Sequence, residues 1–194
     1  MLNNKISVGV DIDGVLRDFN EGVRRGAKAV LDIDVPAKAF RTRLRGFTAT
    51  PEKRNLLRMI FGGSDEMMRH VFLEAPPMPN ALKGFRMMVN DHKNFDVHIV
   101  SSQNEHSAPL TDTWLKNNGI ECDNVHYTPT EKKIEAPVSV MIDDYPDTVK
   151  RFNDNGKYGV LIRCPANEDV TEMFPVVRDD LLGVYYHLVK QFIL

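Results

Sequence analysis

The chain alternates short apolar runs with longer segments in which apolar residues recur every three to four positions. The short runs are rich in β-branched residues and have the length of strands, whereas the longer segments have the spacing of amphipathic helices. Strands separated by helices predict an α/β fold with a doubly wound parallel sheet. The predicted strands are residues 6–12, 96–100, 125–127, 138–142 and 158–162, and the later helices are residues 81–90, 110–118, 147–155 and 180–194.

This alternation is interrupted once, after the first strand. The interruption has helical signals and no strand pattern, and it is too long for an ordinary loop. We therefore predict a helical cap, residues 19–78, inserted over the carboxyl ends of the strands of a core formed by residues 1–18 and 79–194. Within the cap we expect a helix over residues 19–31, a second from Pro51 to Gly62-Gly63, and a third that is capped by Ser64 and buries Met67, Met68, Val71 and Phe72.

Acidic pairs follow two of the predicted strands. Asp11 and Asp13 come at the end of the first strand, before Gly14, and their side chains point the same way because side chains alternate along an extended chain. Asp143 and Asp144 follow the strand at residues 138–142. Carboxyl ends of parallel strands share one edge of the sheet, so we expect the two pairs to meet there. Crowded carboxylates favour a bound cation, which predicts a magnesium site.

Each of these motifs also has a simpler interpretation. Asp-x-Asp-Gly is common in turns, and Asp144 can cap the helix that begins near residue 147. Taken singly, Ser101 and Ser102 are strand-end turn residues, and Lys132 and Lys133 are surface lysines. A calcium loop is disfavoured because its later acidic positions are absent. Only together do these residues supply a nucleophile, metal ligands, a hydroxyl donor and a cation, which are the requirements of phosphoryl transfer.

Composition limits the other functional classes. The 194 residues carry a net charge of -2 and are 42% hydrophobic, which fits a globular protein and gives no indication of nucleic-acid binding. The two cysteines, Cys122 and Cys164, do not make a disulfide scaffold and show no metal-binding motif, so a reducing, cytoplasmic setting is expected. No signal-peptide pattern or membrane-spanning run is present. A basic stretch is predicted to be a solvated surface, with attraction of an anionic substrate as the alternative: Lys38, Arg41, Arg43 and Arg45.

The motifs resemble the signature of the haloacid dehalogenase (HAD) superfamily of aspartate-nucleophile phosphatases. Its elements occur here in the family's order: residues 10–14 (VDIDG), Ser101, Lys132 or Lys133, and residues 142–144 (IDD). Three longer segments are similar to those of the 5'(3')-deoxyribonucleotidases. They are residues 11–19 (DIDGVLRDF), 72–79 (FLEAPPMP) and 142–147 (IDDYPD).

The resemblance implies a role for each acidic residue. Asp11 would attack phosphorus and become an aspartyl phosphate, and Asp13 would protonate the leaving oxygen and later accept a proton from water. Asp11, the backbone carbonyl of Asp13 and Asp143 would hold Mg²⁺, with Asp144 as a ligand through water or as a support for the others.

The resemblance also implies how the phosphate and substrate are held. Ser101 and Ser102 would bind the phosphate together with Lys133 or Lys132. Lys133 is preferred because Asp143 follows it by ten positions, which suits a short segment and one strand, and Lys132 stays open. Phe19 would line the substrate pocket, with a role as a core aromatic as the alternative.

The resulting prediction is a cytoplasmic, Mg²⁺-dependent phosphomonoesterase that hydrolyses a small phosphate ester. The preferred substrate is a nucleoside monophosphate. Membrane association and nucleic-acid binding are not expected, and a homodimer is left open. One alternative is a phosphatase of the same fold for another small ester, such as a sugar phosphate, or for a nucleic-acid end. The other is a module that binds a phosphate ligand without turnover.

Overall fold

A parallel β-sheet forms the centre of the computed structural model, which describes residues 5–35, 55, 58–60, 64–165 and 167–194. Its strands are β1 (Ile6–Val10), β2 (Phe95–Ser101), β3 (Val125–Tyr127), β4 (Val140–Asp143), β5 (Tyr158–Ile162) and β6 (Val177–Arg178). The order across the sheet is β3-β2-β1-β4-β5-β6, and every neighbouring pair is parallel. The predicted doubly wound α/β fold is therefore confirmed.

Helices connect the strands, as expected for parallel neighbours. They are α1 (Phe19–Leu31), α2 (Asp65–Met68) continued by a π-helical segment (Arg69–Leu73), α3 (Ala81–Asn90), α4 (Ala108–Asn117), α5 (Pro146–Asp154) and α6 (Leu181–Phe192), with 3₁₀ helices at Thr130–Glu135 and Glu168–Met173. Within the described parts of the chain, none of these helices combines the length and the apolar character needed to cross a bilayer.

Several predicted details differ from the structure. Strand β4 starts at Val140 rather than at residue 138, and it includes Asp143, which pairs with Leu161. Strand β6 was not predicted, because two half-buried residues give no apolar run. Ser64 lies at the N-cap position of α2, but its side chain makes no capping hydrogen bond. The start of the predicted helix at Pro51, its end at Gly62-Gly63 and the basic stretch at residues 38–45 lie outside the described residues.

The core lies on both faces of the sheet. The larger cluster joins β1, β2, β4 and β5 to α3, α4 and α6, and it includes Phe85, Trp114 and Leu188. A smaller cluster on β2, β4 and α5 includes Met141 and Phe152. Central strands of a parallel sheet are buried on both faces, which explains why their sequences are continuously apolar.

The described helices between β1 and α3 have an apolar cluster of their own. Val23 and Ala27 of α1 pack with Met67, Val71 and Phe72 of α2 and the π-helical segment, as the spacing of the apolar residues predicted. Asp18 caps the start of α1, because its side chain accepts a hydrogen bond from the Glu21 N–H at 2.9 Å. The division into a cap and a core at residues 19 and 78 stays a prediction.

Candidate active site

Strand register brings the two acidic pairs together. Val10 of β1 lies opposite Ile142 of β4, and the Asp11 N–H donates to the Ile142 carbonyl at 3.0 Å. Asp11 therefore continues β1 beside Asp143, the last residue of β4. The strand order reverses between β1 and β4, and the crevice beyond the strand ends at such a point is where open α/β sheets bind ligands.

Lys133 joins the carboxylates of these two strands. Its Nζ lies 2.7 Å from Asp11 Oδ2 and 2.8 Å from Asp143 Oδ2, and all three side chains are buried. Lys133 reaches this position from the 3₁₀ helix that precedes β4, whereas Lys132 is exposed. The structure thus places Lys133, and not Lys132, between the acidic residues.

Charge and burial shift the pKa values of this group strongly. Burial alone would lower the pKa of Lys133, but Asp11 and Asp143 together raise it above its ordinary value. Burial raises the pKa of Asp143 to about 6 despite the opposing effect of Lys133. Desolvation, followed by repulsion from Asp143 and Asp11, raises the pKa of Asp144 well above its usual range. The single positive charge of Lys133 therefore does not offset the negative charges of the three carboxylates.

These carboxylates fit a divalent cation. Asp11, Asp143 and Asp144 each offer an oxygen, and the three oxygens lie within 4.8 Å of one another. Hard oxygen donors suit Mg²⁺, and the carboxylates exceed the Lys133 ammonium by two charges when all are ionised. Three of the predicted metal ligands, Asp11, Asp143 and Asp144, are thus brought together. A ligand role for the backbone carbonyl of Asp13 stays a prediction. The alternative that Asp144 caps α5 is wrong, because Tyr145 is the N-cap residue and no side chain makes a capping hydrogen bond there.

Gly14 controls the position of Asp144. Its φ is +80°, and a Cβ atom built there would lie 2.1 Å from Asp144 Oδ2. Backbone in this region suits glycine, and the absent side chain leaves the space that the Asp144 carboxylate occupies. The glycine of the Asp-x-Asp-Gly motif is therefore needed both for the turn and for the acidic cluster.

We expect Gly14→Ala to reduce Mg²⁺ binding, because the methyl group and the Asp144 carboxylate cannot occupy the same space. The backbone conformation should add a loss of about 1–2 kcal/mol in the free energy of unfolding. Isothermal titration with MgCl₂ and urea denaturation measure the two effects. Gly156→Ala is the control, because it has a similar φ of +70° with no atom within 4 Å of the added Cβ. Equal Mg²⁺ affinity in both variants would contradict this account.

The remaining predicted residues line one cavity of about 620 Å³ at this edge of the sheet. Ser101 is buried at the end of β2, Ser102 is exposed and hydrogen-bonds Thr130 at 2.9 Å, and Phe19 lies at the start of α1. The described residues that line the cavity include, among those predicted, Asp11, Asp13, Phe19, Ser101, Ser102, Lys133 and Asp144.

Sequence reasoning missed other residues of the site. The cavity wall on α5 contains Asp147, Thr148 and Arg151. Asp147 ends the segment 142–147 noted above, but no pattern in the sequence marked any of the three as a site residue. Sequence reasoning also missed the partners of Asp13, which are Arg17 and Gln103. The opposite charge four positions after Asp13 was the only available signal for Arg17.

Comparisons with known proteins agree with this description. No family model matches the chain. A curated relative from Chlorobaculum tepidum, named "Putative 5'(3')-deoxyribonucleotidase", is 23% identical over 205 residues, which cover 100% of this chain and 94% of the relative. The similarity therefore extends over both proteins almost completely.

Solved structures share the fold at lower identity. The "putative HAD-hydrolase YfnB" from Bacillus subtilis, bound to magnesium, is 15% identical with a TM-score of 0.63 and coverage of 95% of this chain and 98% of its own. The L-2-haloacid dehalogenase from Xanthobacter autotrophicus with chloropropionic acid covalently bound is 13% identical, with a TM-score of 0.62 and coverage of 97% and 99%. The chain thus has the fold of the HAD superfamily, and its resemblance to that superfamily and to the 5'(3')-deoxyribonucleotidases is confirmed.

Proposed function

We propose that this protein is a Mg²⁺-dependent phosphomonoesterase that acts through an aspartyl phosphate and releases phosphate from nucleoside monophosphates. The observation that carries the proposal is the contact of Lys133 Nζ with both Asp11 and Asp143, at 2.7 and 2.8 Å, beside a third carboxylate within metal-binding reach. This arrangement would supply a nucleophile, a fixed cation and a set of metal ligands at one end of the cavity.

Asp11 is the proposed nucleophile. Its Oδ1 accepts a hydrogen bond from the Ile12 N–H at 2.7 Å and its Oδ2 contacts Lys133, so the carboxylate is fixed in orientation. Bound Mg²⁺ would supply charge neutralisation for the phosphate and the carboxylate, held by Asp11 and Asp143 with Asp144 beside them. Lys133 and the Ser101 hydroxyl, which line the same cavity, would hold the phosphate oxygens.

Asp13 is the proposed acid and base. It lies on the cavity wall, and 25% of its side chain is exposed. As Asp11 forms a bond to phosphorus and the ester bond breaks, Asp13 would give its proton to the leaving oxygen. Asp13 would then take a proton from the water that attacks phosphorus and releases Asp11.

The choice of a nucleotide rests on two supports. A cavity of about 620 Å³ is in the range of small-molecule sites, and Phe19 gives it one aromatic wall beside polar residues of α5. The relative from Chlorobaculum tepidum, similar over 94% of its length, is named "Putative 5'(3')-deoxyribonucleotidase".

A substrate screen tests the proposal. Inorganic phosphate release is measured with ribo- and deoxyribonucleoside monophosphates and sugar phosphates, in MgCl₂ and in EDTA, and chloride release is measured with 2-chloropropionate. We expect nucleotide hydrolysis that requires Mg²⁺ and no chloride release. Preference for a sugar phosphate would replace the nucleotide by another ester, nucleotide binding without turnover would indicate a binding module, and chloride release would indicate a dehalogenase.

Mg²⁺ is expected to raise the thermal unfolding temperature. An ion at 100 times its dissociation constant adds about 2.7 kcal/mol to the free energy of unfolding. Asp144→Asn should reduce this gain because it removes one carboxylate of the cluster. Asp147→Asn makes the same change elsewhere in the cavity and should keep the gain. Differential scanning fluorimetry compares the variants, and an equal gain in both would show that Asp144 takes no part in binding the ion.

A further inference from the structure

Asp13 is held by a buried arginine. Arg17 is fully buried, and its Nε and Nη2 lie 2.8 and 2.7 Å from the same oxygen, Asp13 Oδ1. The other oxygen, Asp13 Oδ2, accepts a hydrogen bond from Gln103 Nε2 at 2.9 Å. A buried charge is costly unless it is paired, so this pair is a built feature of the loop after β1.

The contacts continue into a closed ring. Arg17 Nη1 donates to Thr111 Oγ1 at 3.2 Å, and Thr111 Oγ1 donates to Gln103 Oε1, also at 3.2 Å. Gln103 returns to Asp13, so three separate elements fix the carboxylate: the β1 loop, the β2 loop and α4. Hydrogen-bonded networks of this kind restrict their members to one arrangement.

Arg17 also contacts the helices that precede α3. Its Nη1 donates to the Phe72 carbonyl at 2.6 Å, within the π-helical segment. Its guanidinium carbon lies 5.2 Å from the centre of the Phe72 ring and 5.3 Å from that of Trp114. Phe72 in turn packs against Phe19, which lines the cavity, at 6.0 Å between ring centres. Arg17 thus contacts both the Asp13 carboxylate and Phe72, which supports the cavity wall at Phe19.

We propose that Arg17 is a positioning residue that directs Asp13 toward the leaving group and leaves Oδ2 as the oxygen that transfers the proton. A carboxylate has roughly four acceptor positions, two on each oxygen. Arg17 donates one hydrogen bond to Oδ1 through Nε, and its Nη2 covers the same oxygen as an ion-pair contact at 2.7 Å. Gln103 donates a single hydrogen bond to Oδ2. Arginine gives no proton to a carboxylate and accepts none, so the exchange with the leaving oxygen takes place at Oδ2, the oxygen that the guanidinium does not cover. This inference rests on the proposed function.

Leaving groups of different basicity test the role of Arg17. An alkoxide, as in a nucleoside monophosphate, needs a proton when it departs, whereas p-nitrophenolate does not. The value of kcat/KM reports the steps up to departure of the leaving group. We expect Arg17→Met to lower kcat/KM for the nucleotide by about 10²-fold, the lower end of typical acid catalysis, and for p-nitrophenyl phosphate by much less.

Further variants separate the possible outcomes. Trp114→Phe disturbs the ring beside the guanidinium without touching Asp13, and it should affect both substrates equally. Asp13→Asn should show the same selective loss as Arg17→Met. If Asp13→Asn is selective and Arg17→Met is not, the positioning role is wrong. If Asp13→Asn is not selective, or the wild type hydrolyses neither ester, the proposed function itself fails.

Folding of the variants is checked by thermal unfolding. Arg17→Lys keeps the buried charge but has one ammonium in place of a fork of donors, and Gln103→Leu removes the contact with Oδ2 at a half-buried position. If Arg17→Met does not fold, these two variants carry the test. A selective loss for the nucleotide in both is the expected result, and equal losses for the two substrates would overturn the inference.

Discussion

Asp11→Asn protein is expected to release phosphate from a nucleoside monophosphate at least about 10³-fold more slowly than the wild type. An amide is a far weaker nucleophile than a carboxylate, and removal of a covalent catalyst from comparable sites abolishes most of the rate enhancement. The substitution keeps the shape of the side chain, and Lys133 retains its contact with Asp143 at 2.8 Å, so the fold should persist. Phosphate release under saturating substrate, with thermal unfolding as a check on folding, measures the effect.

Asp18→Asn is the matched control for this experiment. Asp18 lies in the same loop, but its side chain caps α1 by accepting from the Glu21 N–H. Asparagine caps helices about as well as aspartate, so activity and stability should stay near wild-type values. Comparable activity in Asp11→Asn and Asp18→Asn would remove Asp11 from the proposed chemistry.

Lys133→Met should produce the largest loss of stability among these variants. Lys133 is 3% exposed and is the cation between two buried carboxylates, Asp11 and Asp143. Breaking a buried ion pair by removing one partner costs about 3–5 kcal/mol, because the remaining charges stay buried without compensation. Urea denaturation in EDTA measures the free energy of unfolding without a contribution from bound metal.

Lys132→Met provides a neighbouring control on the same 3₁₀ helix. Lys132 is exposed, and substitutions at exposed positions usually change stability by no more than about 0.5 kcal/mol. The same pair of variants also tests the phosphate-binding role, since only Lys133→Met should lower the rate of phosphate release. Equal unfolding midpoints for the two variants would contradict the buried bridge.

The parts of the site that could be predicted are those in which local pattern and topology act together. Asp11 and Asp143 each end an apolar run, and parallel strands must bring such ends to one edge of the sheet. The separation between Lys133 and Asp143 favoured the one of two adjacent lysines that contacts Asp11 and Asp143. The helix pattern of α1 was equally direct, because its apolar residues repeat with the helical period from Phe19 to Leu31.

The parts that could not be predicted depend on contacts between distant segments. Arg17 follows Asp13 by four residues, but its burial depends on Phe72 and Trp114, far along the chain. Gln103 reaches Asp13 across 90 residues of sequence, and nothing local marks it as a partner. The role of a polar residue depends on the neighbours that tertiary packing brings into contact with it. Hydrophobic periodicity predicts helices and strands but does not predict those neighbours.

Short or irregular elements were missed for a different reason. Strand β6 has only two residues, which is too short for the apolar run that usually identifies a strand. It is defined by its pairing with Leu161 and Ile162 of β5, which the sequence does not show. The π-helical segment at Arg69–Leu73 has apolar residues at ordinary helical spacing, so the sequence pattern does not distinguish it from an α-helix.

A crystal structure of the protein with Mg²⁺ and vanadate would show whether Asp11 and Asp143 share one cation beside the phosphoryl site, because vanadate imitates the phosphoryl group in transfer. We expect one Mg²⁺ bonded to carboxylate oxygens of Asp11 and Asp143 at about 2.0–2.1 Å, with vanadium next to the Asp11 carboxylate and its oxygens near Lys133 and Ser101. A cation bound away from these two carboxylates, or vanadate outside the cavity beyond β1 and β4, would contradict the account.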